Sequence, residues 1–432
     1  MLFCACRAAD VLNAFVGLWL VPKYVDPSEL GAVMPLTQFS GFLALPVTIF
    51  SMTFMKEMTV LATNKEYGKM KSLMKGVFIG AAIFLILALV ATKFTFPHFL
   101  ERIRIEEGSL GILIISSGFI GAVAPVYSNA LQALKRFKTI SFLSIVSAPI
   151  RFLAMTLTMP FRALSGYFVG QTATPAFSII ASVWALRKEL SVTAEPYWSK
   201  PVFRRFSFLF LGIAAYCIAG NTLSLVEQTV LRQCLPDIDS AAYYMASRFS
   251  DIATFIACTL MTVLFPFTAS LATEGRPTRP LVIKSSLAML TSGSFLALIF
   301  TFSGEILLSV TPNGDKYAEY YWAIPWLIGI VTLSGIQTFH TNTEISAGRF
   351  GFLKWWIPFH AFSATGLLII IGHRHFAHHL PATLLDFLSK YNIQSLKAIL
   401  IWFTIIGITK TTISIIELLK QRKTETEERH DS

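Results

Sequence analysis

Ionisable residues set inside long apolar runs are where chemistry is expected in this chain. Arg7 and Asp10 lie three apart in the first such run, and Arg248 and Asp251 repeat the spacing in a later one. On a helix that separation puts both side chains on one face. Arg151 follows Pro149 by two residues near the middle of another run. Glu227-Gln228 lies in a fourth, and Lys56-Glu57, Glu344, Lys410 and Glu417 complete the set. Holding an ionised side chain at hydrocarbon depth costs a few kcal/mol even on the milder scales, so such residues are candidates for binding or coupling. Arginine offers a planar fork of donors that suits phosphate or carboxylate. Each residue also has a structural reading. The two Arg–Asp pairs can be self-neutralising. Arg7 stands only about 9 Å into its run at 1.5 Å per residue, near enough to snorkel to the interface. Lys56, Glu57, Glu344 and Glu417 fall near run ends.

Composition makes these runs membrane helices. Of 432 residues, 54% are apolar and only 14% charged, against about 25% charged in a soluble domain. A soluble protein of this size would need far more hydrated surface, and lipid removes that need. A helix spans the hydrocarbon with about 20 apolar residues. Such runs occupy 2–21, 31–62, 73–96, 110–134, 140–160 and 163–186, and then 206–231, 241–272, 281–302, 320–347, 352–372 and 396–419. The predicted fold is all-α and polytopic, with about 12 transmembrane helices. It divides into a bundle of residues 1–190, a basic linker 191–205, a second bundle 206–420 and a polar tail 421–432. The first run begins almost at the start and lacks a small-residue cleavage site, so it reads as a spanning helix.

The net charge of +11 is explained by loop anchoring rather than by nucleic acid. With the N-terminus cytoplasmic, the inner loops and tail collect Lys65, Lys69, Lys135, Arg136, Arg187, Lys188, Arg349 and Lys420 among others. The outer loops hold Arg102, Arg104, Arg232 and Lys397 and a few more. The bias is roughly two to one and puts both termini inside. Trp19, Trp184, Trp198, Trp322, Trp355 and Trp356 fall near the interfaces as an aromatic belt. The five cysteines lie mostly in apolar runs and show no metal or redox spacing. The run His373-Arg374-His375-Phe376-Ala377-His378-His379 has no acidic or cysteine ligand close by, so it reads as interfacial imidazoles rather than a metal site. Leu380–Asn392 reads as a short amphipathic surface helix. Prolines at 35, 46, 125, 149, 175, 266, 325 and 358 can kink their helices. There is no P-loop, zinc signature or catalytic triad pattern. The expectation is therefore a transporter, not an enzyme, with no cofactor, driven by an ion gradient, the membrane potential or consumption of its product.

The halves repeat one another. Glu29–Thr63 aligns without a gap on Asp239–Thr273, matching Ala32 with Ala242, Phe39 with Phe249, Ser40 with Ser250, and Leu61-Ala62-Thr63 with Leu271-Ala272-Thr273. Each copy follows an acidic turn and opens the second run of its half. An even number of helices separates them, which makes the repeat parallel.

The run Leu20-Val21-Pro22-Lys23-Tyr24-Val25-Asp26-Pro27-Ser28-Glu29-Leu30-Gly31 resembles the first outer turn of polysaccharide transporters. These are the Wzx-type flippases of the multidrug/oligosaccharidyl-lipid/polysaccharide (MOP) superfamily, whose members often carry a Leu-Gly-Pro-Glu-Glu-Tyr-Gly-like turn. Here Val25-Asp26 stands in for Leu-Gly and Leu30 replaces the aromatic. The six-plus-six layout extends the resemblance over nearly the whole chain. It implies two six-helix bundles in a V around a cavity. It also implies export of a lipid-linked oligosaccharide on undecaprenyl pyrophosphate across the cytoplasmic membrane, for O-antigen, capsule or exopolysaccharide. On that reading Arg151 and Arg248, then Arg7, contact the head group. Asp251, Asp10 and Glu227 pair those cations or take a coupling H⁺ or Na⁺. The implied partners are membrane lipids and the glycosyltransferases and polymerase that handle the same carrier. The alternatives are a MATE-like ion-coupled antiporter of drugs or metabolites, a peptidoglycan-precursor flippase (which commonly has two further helices), and a membrane polymerase or ligase of lipid-linked sugars. An enzyme of that last kind would carry a larger outer loop with an acid–base constellation.

Overall fold

The computed structural model describes residues 12–105, 110–197, 200–273, 279–346, 349–372 and 395–430. Among them every regular element is helical. A π turn, Val16–Leu20, runs into α1 (Val21–Tyr24). There follow α2 (Pro27–Leu30), α3 (Val33–Leu43), α4 (Leu45–Thr63), α5 (Tyr67–Arg102), α6 (Leu110–Ala133), α7 (Phe137–Thr158), α8 (Ala163–Ala185) and α9 (Arg187–Leu190). Then come α10 (Lys200–Cys234), α11 (Asp237–Thr273), α12 (Arg279–Ser309), α13 (Ala323–Ser346), α14 (Leu353–Gly372) and α15 (Leu396–His430). Each apolar run expected to span is thus helical over most of its described residues. Among the described residues 7 helices qualify as spans by length and hydropathy, or up to 8 with one bent pair. α8 and α11 have the length but are more polar. α8 carries Ser165, Gln171, Thr172, Thr174, Ser178 and Ser182, and α11 carries Arg248 and Asp251.

The outward faces show what surrounds these helices. On α5, Ile79, Ile83, Ile86, Leu87, Val90 and Phe94 are exposed and recur at helical spacing, while Leu73, Val77, Ala81 and Ala88 are buried. In water the outer stripe would be polar. An apolar stripe this long is matched by hydrocarbon. The protein is an all-α, polytopic membrane protein.

Contacts divide the chain into two units, Met1–Gln233 and Cys234–Ser432. In the first, α6 packs against α4 and α8, and α8 against α7. Its core joins Phe54, Met58, Met70, Leu73, Val126 and Leu131. α3 lies close on α6 because residue 118 is glycine: a Cβ there would stand 2.3 Å from the Ser40 carbonyl oxygen. Ser40 Oγ–H donates to the Ile114 carbonyl at 2.6 Å across the same contact. In the second unit α11, α12 and α15 pack against α13, around Ala257, Val282, Met289, Ile336 and Phe339.

The prolines do not act alike. Pro97, Pro125, Pro149, Pro175 and Pro358 sit inside continuous helices. Pro46, in the first turn of α4, marks the one bent pair among the described residues, where α2–α3 and α4 meet at 61°. Proline offers no N–H to the carbonyl four residues back, and its ring crowds that carbonyl. The aligned stretch of the repeat, α11, is one unbroken helix of 37 residues. The two copies therefore differ where the first has Pro46 and the second Ile256.

Three helix ends in the first unit close in the same way. The N–H groups of Lys65 and Glu66 bond Ala62 and Leu61, those of Arg104 and Ile105 bond Glu101 and Leu100, and those of Lys135 and Arg136 bond Gln132 and Leu131. This is the Schellman pattern, with a left-handed residue just past the helix. Here that residue is basic: φ is 58° at Lys65, 60° at Arg104 and 57° at Lys135. A cation at the carbonyl end of a helix is favourably placed against the helix dipole.

One side chain ties the end of α5 to α2 and α10. Arg232, read from sequence as an outer-loop cation, is only 1% exposed. Its Nε–H donates to the Ile103 carbonyl at 3.0 Å and its Nη2–H to the Ser28 carbonyl. Arg104 donates back to the Arg232 carbonyl. With Gln38 bonding Ser224 at 2.9 Å and Phe50 against Phe206 and Phe210, this holds most of α10 on the first unit. The segment before α10 is likewise docked. Lys71 donates to the Val192 carbonyl at 3.0 Å, Glu195 N–H to the Gly68 carbonyl at 3.1 Å, and Tyr197 Oη–H to buried Glu57 at 2.7 Å. Gly68 permits this, since a Cβ would meet Glu195 Cγ and the Thr193 carbonyl at 2.8 Å each.

These contacts can be tested separately. Arg232→Ala removes charge-assisted bonds from buried carbonyls and should cost about 3 kcal/mol, read as a large fall in the thermal unfolding midpoint in detergent, with Arg232→Lys intermediate. Gly68→Ala and Tyr197→Phe should each speed cleavage after residue 197 by chymotrypsin. Unchanged cleavage in both would mean that the segment is not held by these contacts.

Candidate functional site

The six residues singled out from sequence fall out differently. Arg7 and Asp10 lie outside the described residues, as does the histidine run at 373–379. Arg248 and Asp251 are brought together on α11, Nη1 to Oδ2 at 3.0 Å, with side chains 25% and 33% exposed. The Arg248 guanidinium also lies over the Tyr244 ring, 5.1 Å from its centroid. Three-residue spacing on an uninterrupted helix is enough to make this pair.

Arg151 is half-buried on α7. Its Nη1–H donates to Asn13 Oδ1 at 3.3 Å, and its buried Nε has no hydrogen-bond partner among the described residues. Its described partner is thus a neutral amide, which leaves the guanidinium charge uncompensated among those residues. Glu227 is half-buried on α10 beside buried Gln228. Glu57, expected near an interface, is buried and bonded by Tyr197.

The second unit contains a cavity of about 410 Å³ whose wall includes His340, Glu344, Arg349, Trp356, Lys410 and Glu417. α13 supplies His340 and Glu344 from successive turns, and α15 supplies Lys410, Ser414 and Glu417 along one face. Glu344 pairs with Arg349 at 3.1 Å. The Lys410 ammonium lies 5.8 Å from the Trp356 ring centroid. His340 is 6% exposed, and its Nε2 shares a hydrogen bond with Ser286 Oγ at 2.9 Å. His360, buried behind Trp356, bonds the Trp356 carbonyl through Nδ1 at 2.8 Å. In sequence Lys410, Glu344 and Glu417 read as separate charges and Arg349 as a loop cation. The signal that could have joined them is spacing, since 340 with 344, and 410 with 414 and 417, are helical neighbours.

Between the spans α12 and α13, Tyr320 donates to the Asp239 carboxylate at the start of α11. Burial, and then the hydrogen bond to Asp239 and its charge, push the phenol up to about 12. It therefore remains a donor throughout the physiological range.

The sequence matches no protein-family model and no curated protein. Among solved structures the fold is that of transporters of the MOP superfamily. An inward-facing multidrug-resistance MATE-family transporter aligns with TM-score 0.63 at 11% identity, covering 96% of each chain. A MOP-superfamily transporter from Pyrococcus furiosus aligns at 0.63 and 12%, over 96% of this chain and 93% of that one. The lipid II flippase MurJ in an inward closed conformation aligns at 0.61 and 14%, over 96% of this chain and 87% of its own. At these identities the likeness is one of fold.

Because Arg248 and Asp251 neutralise each other, removing one should be worse than removing both. Asp251→Leu is expected to lower the unfolding midpoint, and Arg248→Leu/Asp251→Leu to recover most of the loss. A double variant as unstable as the sum of the singles would show that the pair is not coupled.

Proposed function

We propose that this protein is a transporter that flips a lipid-linked oligosaccharide, carried on undecaprenyl pyrophosphate, across the cytoplasmic membrane for surface polysaccharide synthesis. The observation that carries an anionic substrate is Arg151, a half-buried guanidinium in a spanning helix whose described partner is Asn13. A half-buried arginine whose described partner is a neutral amide is costly to keep, and a pyrophosphate passing it supplies the charge and the acceptors its planar fork is built for. The fold, shared with a lipid II flippase, supports a carrier-linked cargo moved by alternating access. In this reading Arg248 and Arg7 assist at the head group, and Asp251, Asp10 and Glu227 balance the cations or bind a coupling H⁺ or Na⁺. Both termini then lie in the cytoplasm, on the side of the more basic loops. The moving parts are the two halves of the chain, with α10 moving with the first unit to which Arg232 and Gln38 hold it, and the enzymes that build and polymerise the same glycan are the natural partners. The likeness to a multidrug MATE-family transporter supports a second reading, ion-coupled efflux of small organic molecules.

Proteoliposomes loaded with a fluorescent undecaprenyl-pyrophosphate oligosaccharide separate the two. Wild type should translocate the probe, Arg151→Ala should slow it by roughly tenfold or more, and Arg151→Lys should retain part of the rate. No translocation of any lipid-linked sugar, together with ion-driven efflux of organic cations, would replace the flippase by the antiporter.

A further inference from the structure

We propose that the cavity in the second unit binds the head group of a zwitterionic phospholipid, one carrying a phosphate and an ammonium together. The inference is separate from the transported substrate and does not rest on it.

Depth is the first argument. α13 ends at Ser346 and α14 begins at Leu353, and the apolar run on α15 gives way to Lys420, Arg422 and Lys423 just after Glu417. Glu344, Phe352 and Glu417 therefore stand together at span ends, the level of lipid head groups. At 1.5 Å per residue, Lys410 lies about 10 Å further in along α15 and His340 about 7 Å along α13. The cavity thus reaches from head-group level into the hydrocarbon layer, where the occupant at hand is a lipid.

Charge is the second. Two carboxylates, Glu344 and Glu417, and two cations, Arg349 and Lys410, line it. Their sum is zero, so a ligand with net charge would leave one charge uncompensated in a low-dielectric wall, whereas a dipolar ligand would not. Arg349 and Lys410 can meet a phosphate. The carboxylates and the aromatic faces of Trp356 and Phe359 can meet an ammonium.

His340 is the third. It is 6% exposed and lines the cavity. Its Nε2 is taken by Ser286, but its Nδ1 has no hydrogen-bond partner among the described residues. Ser286 Oγ–H is given to the Val282 carbonyl at 2.8 Å, so Nε2–H donates to Ser286 and Nδ1 is left an acceptor. Buried polar groups of this kind are almost always satisfied, and a ligand's ammonium does so here. At the rim, Trp355, which lines the cavity, and Ile357 beyond it on α14 are 49% and 42% exposed, apolar surface on which acyl chains can lie. About 410 Å³ admits such a head group comfortably, being in the lower range of ligand cavities.

The test uses purified full-length protein in detergent, with lipid retention read by native mass spectrometry and unfolding midpoints read in parallel. Phosphatidylethanolamine should be retained about tenfold more tightly than phosphatidylglycerol and should raise the midpoint in a concentration-dependent way. Lys410→Gln should weaken that retention and narrow the preference. Ser414→Trp, which fills the cavity, should abolish it with helical content unchanged by circular dichroism. Equal retention of the two lipids, or wild-type retention of phosphatidylethanolamine in Lys410→Gln and Ser414→Trp, overturns the proposal. So does full midpoint stabilisation by soluble phosphoethanolamine, which would assign the site to a free zwitterion. Should Ser414→Trp fail to fold, the wild-type lipid comparison and Lys410→Gln decide by the same criteria.

Discussion

Hydrocarbon offers a peptide group nothing to bond to, so every helix here must close its own hydrogen bonds and hide whatever its ends leave open. The first unit meets that demand with charge. Basic residues cap three helix ends in the left-handed conformation, and Arg232 covers the Ser28 and Ile103 carbonyls from a third direction. One guanidinium thus fixes α2, the end of α5 and the end of α10 relative to one another. That node lets helices as long as α5 and α10 keep one register although α6 to α9 intervene along the chain.

The same demand explains where the chain is allowed to break. Pro46 deprives the ladder of a donor, and the bend falls where Ser40 and Gly118 already lock α3 to α6. Asn129 donates to the Ser51 carbonyl at 3.3 Å just over a turn beyond it, so a neighbouring helix supports the re-started segment. The docked stretch of Glu195 and Tyr197 does comparable service at another end of the unit, where it meets the only carboxylate of α4, Glu57.

Period and composition made the fold legible. Long apolar runs, basic loops and punctuating polar stretches marked helices where helices are, and the i, i+3 spacing on a continuous helix marked the Arg248–Asp251 pair. What escaped was everything that needs a third dimension. Arg232 looks like any loop cation until Ile103 and Ser28 arrive beside it from 129 and 204 residues away along the chain. Asn13 carries no charge to mark it as the partner of Arg151. The cavity draws residues from α13, α14 and α15, and no local pattern says that these three faces converge. The proline in α4 differs from those inside α6 or α8 only through what lies against it, which one chain read in order does not reveal.

The lysines at positions 65 and 135 illustrate a compromise between backbone and electrostatics. Glycine would occupy that left-handed geometry with less strain, but it would leave the helix terminus without a cation. Lysine accepts the strain and supplies the charge, and because both side chains are exposed that charge is also presented to whatever anionic surface adjoins the loop. The range of tolerable replacements at these positions is correspondingly narrow. A β-branched residue fails the geometry, an acidic one fails the field, and arginine, which the chain itself uses at position 104, satisfies both.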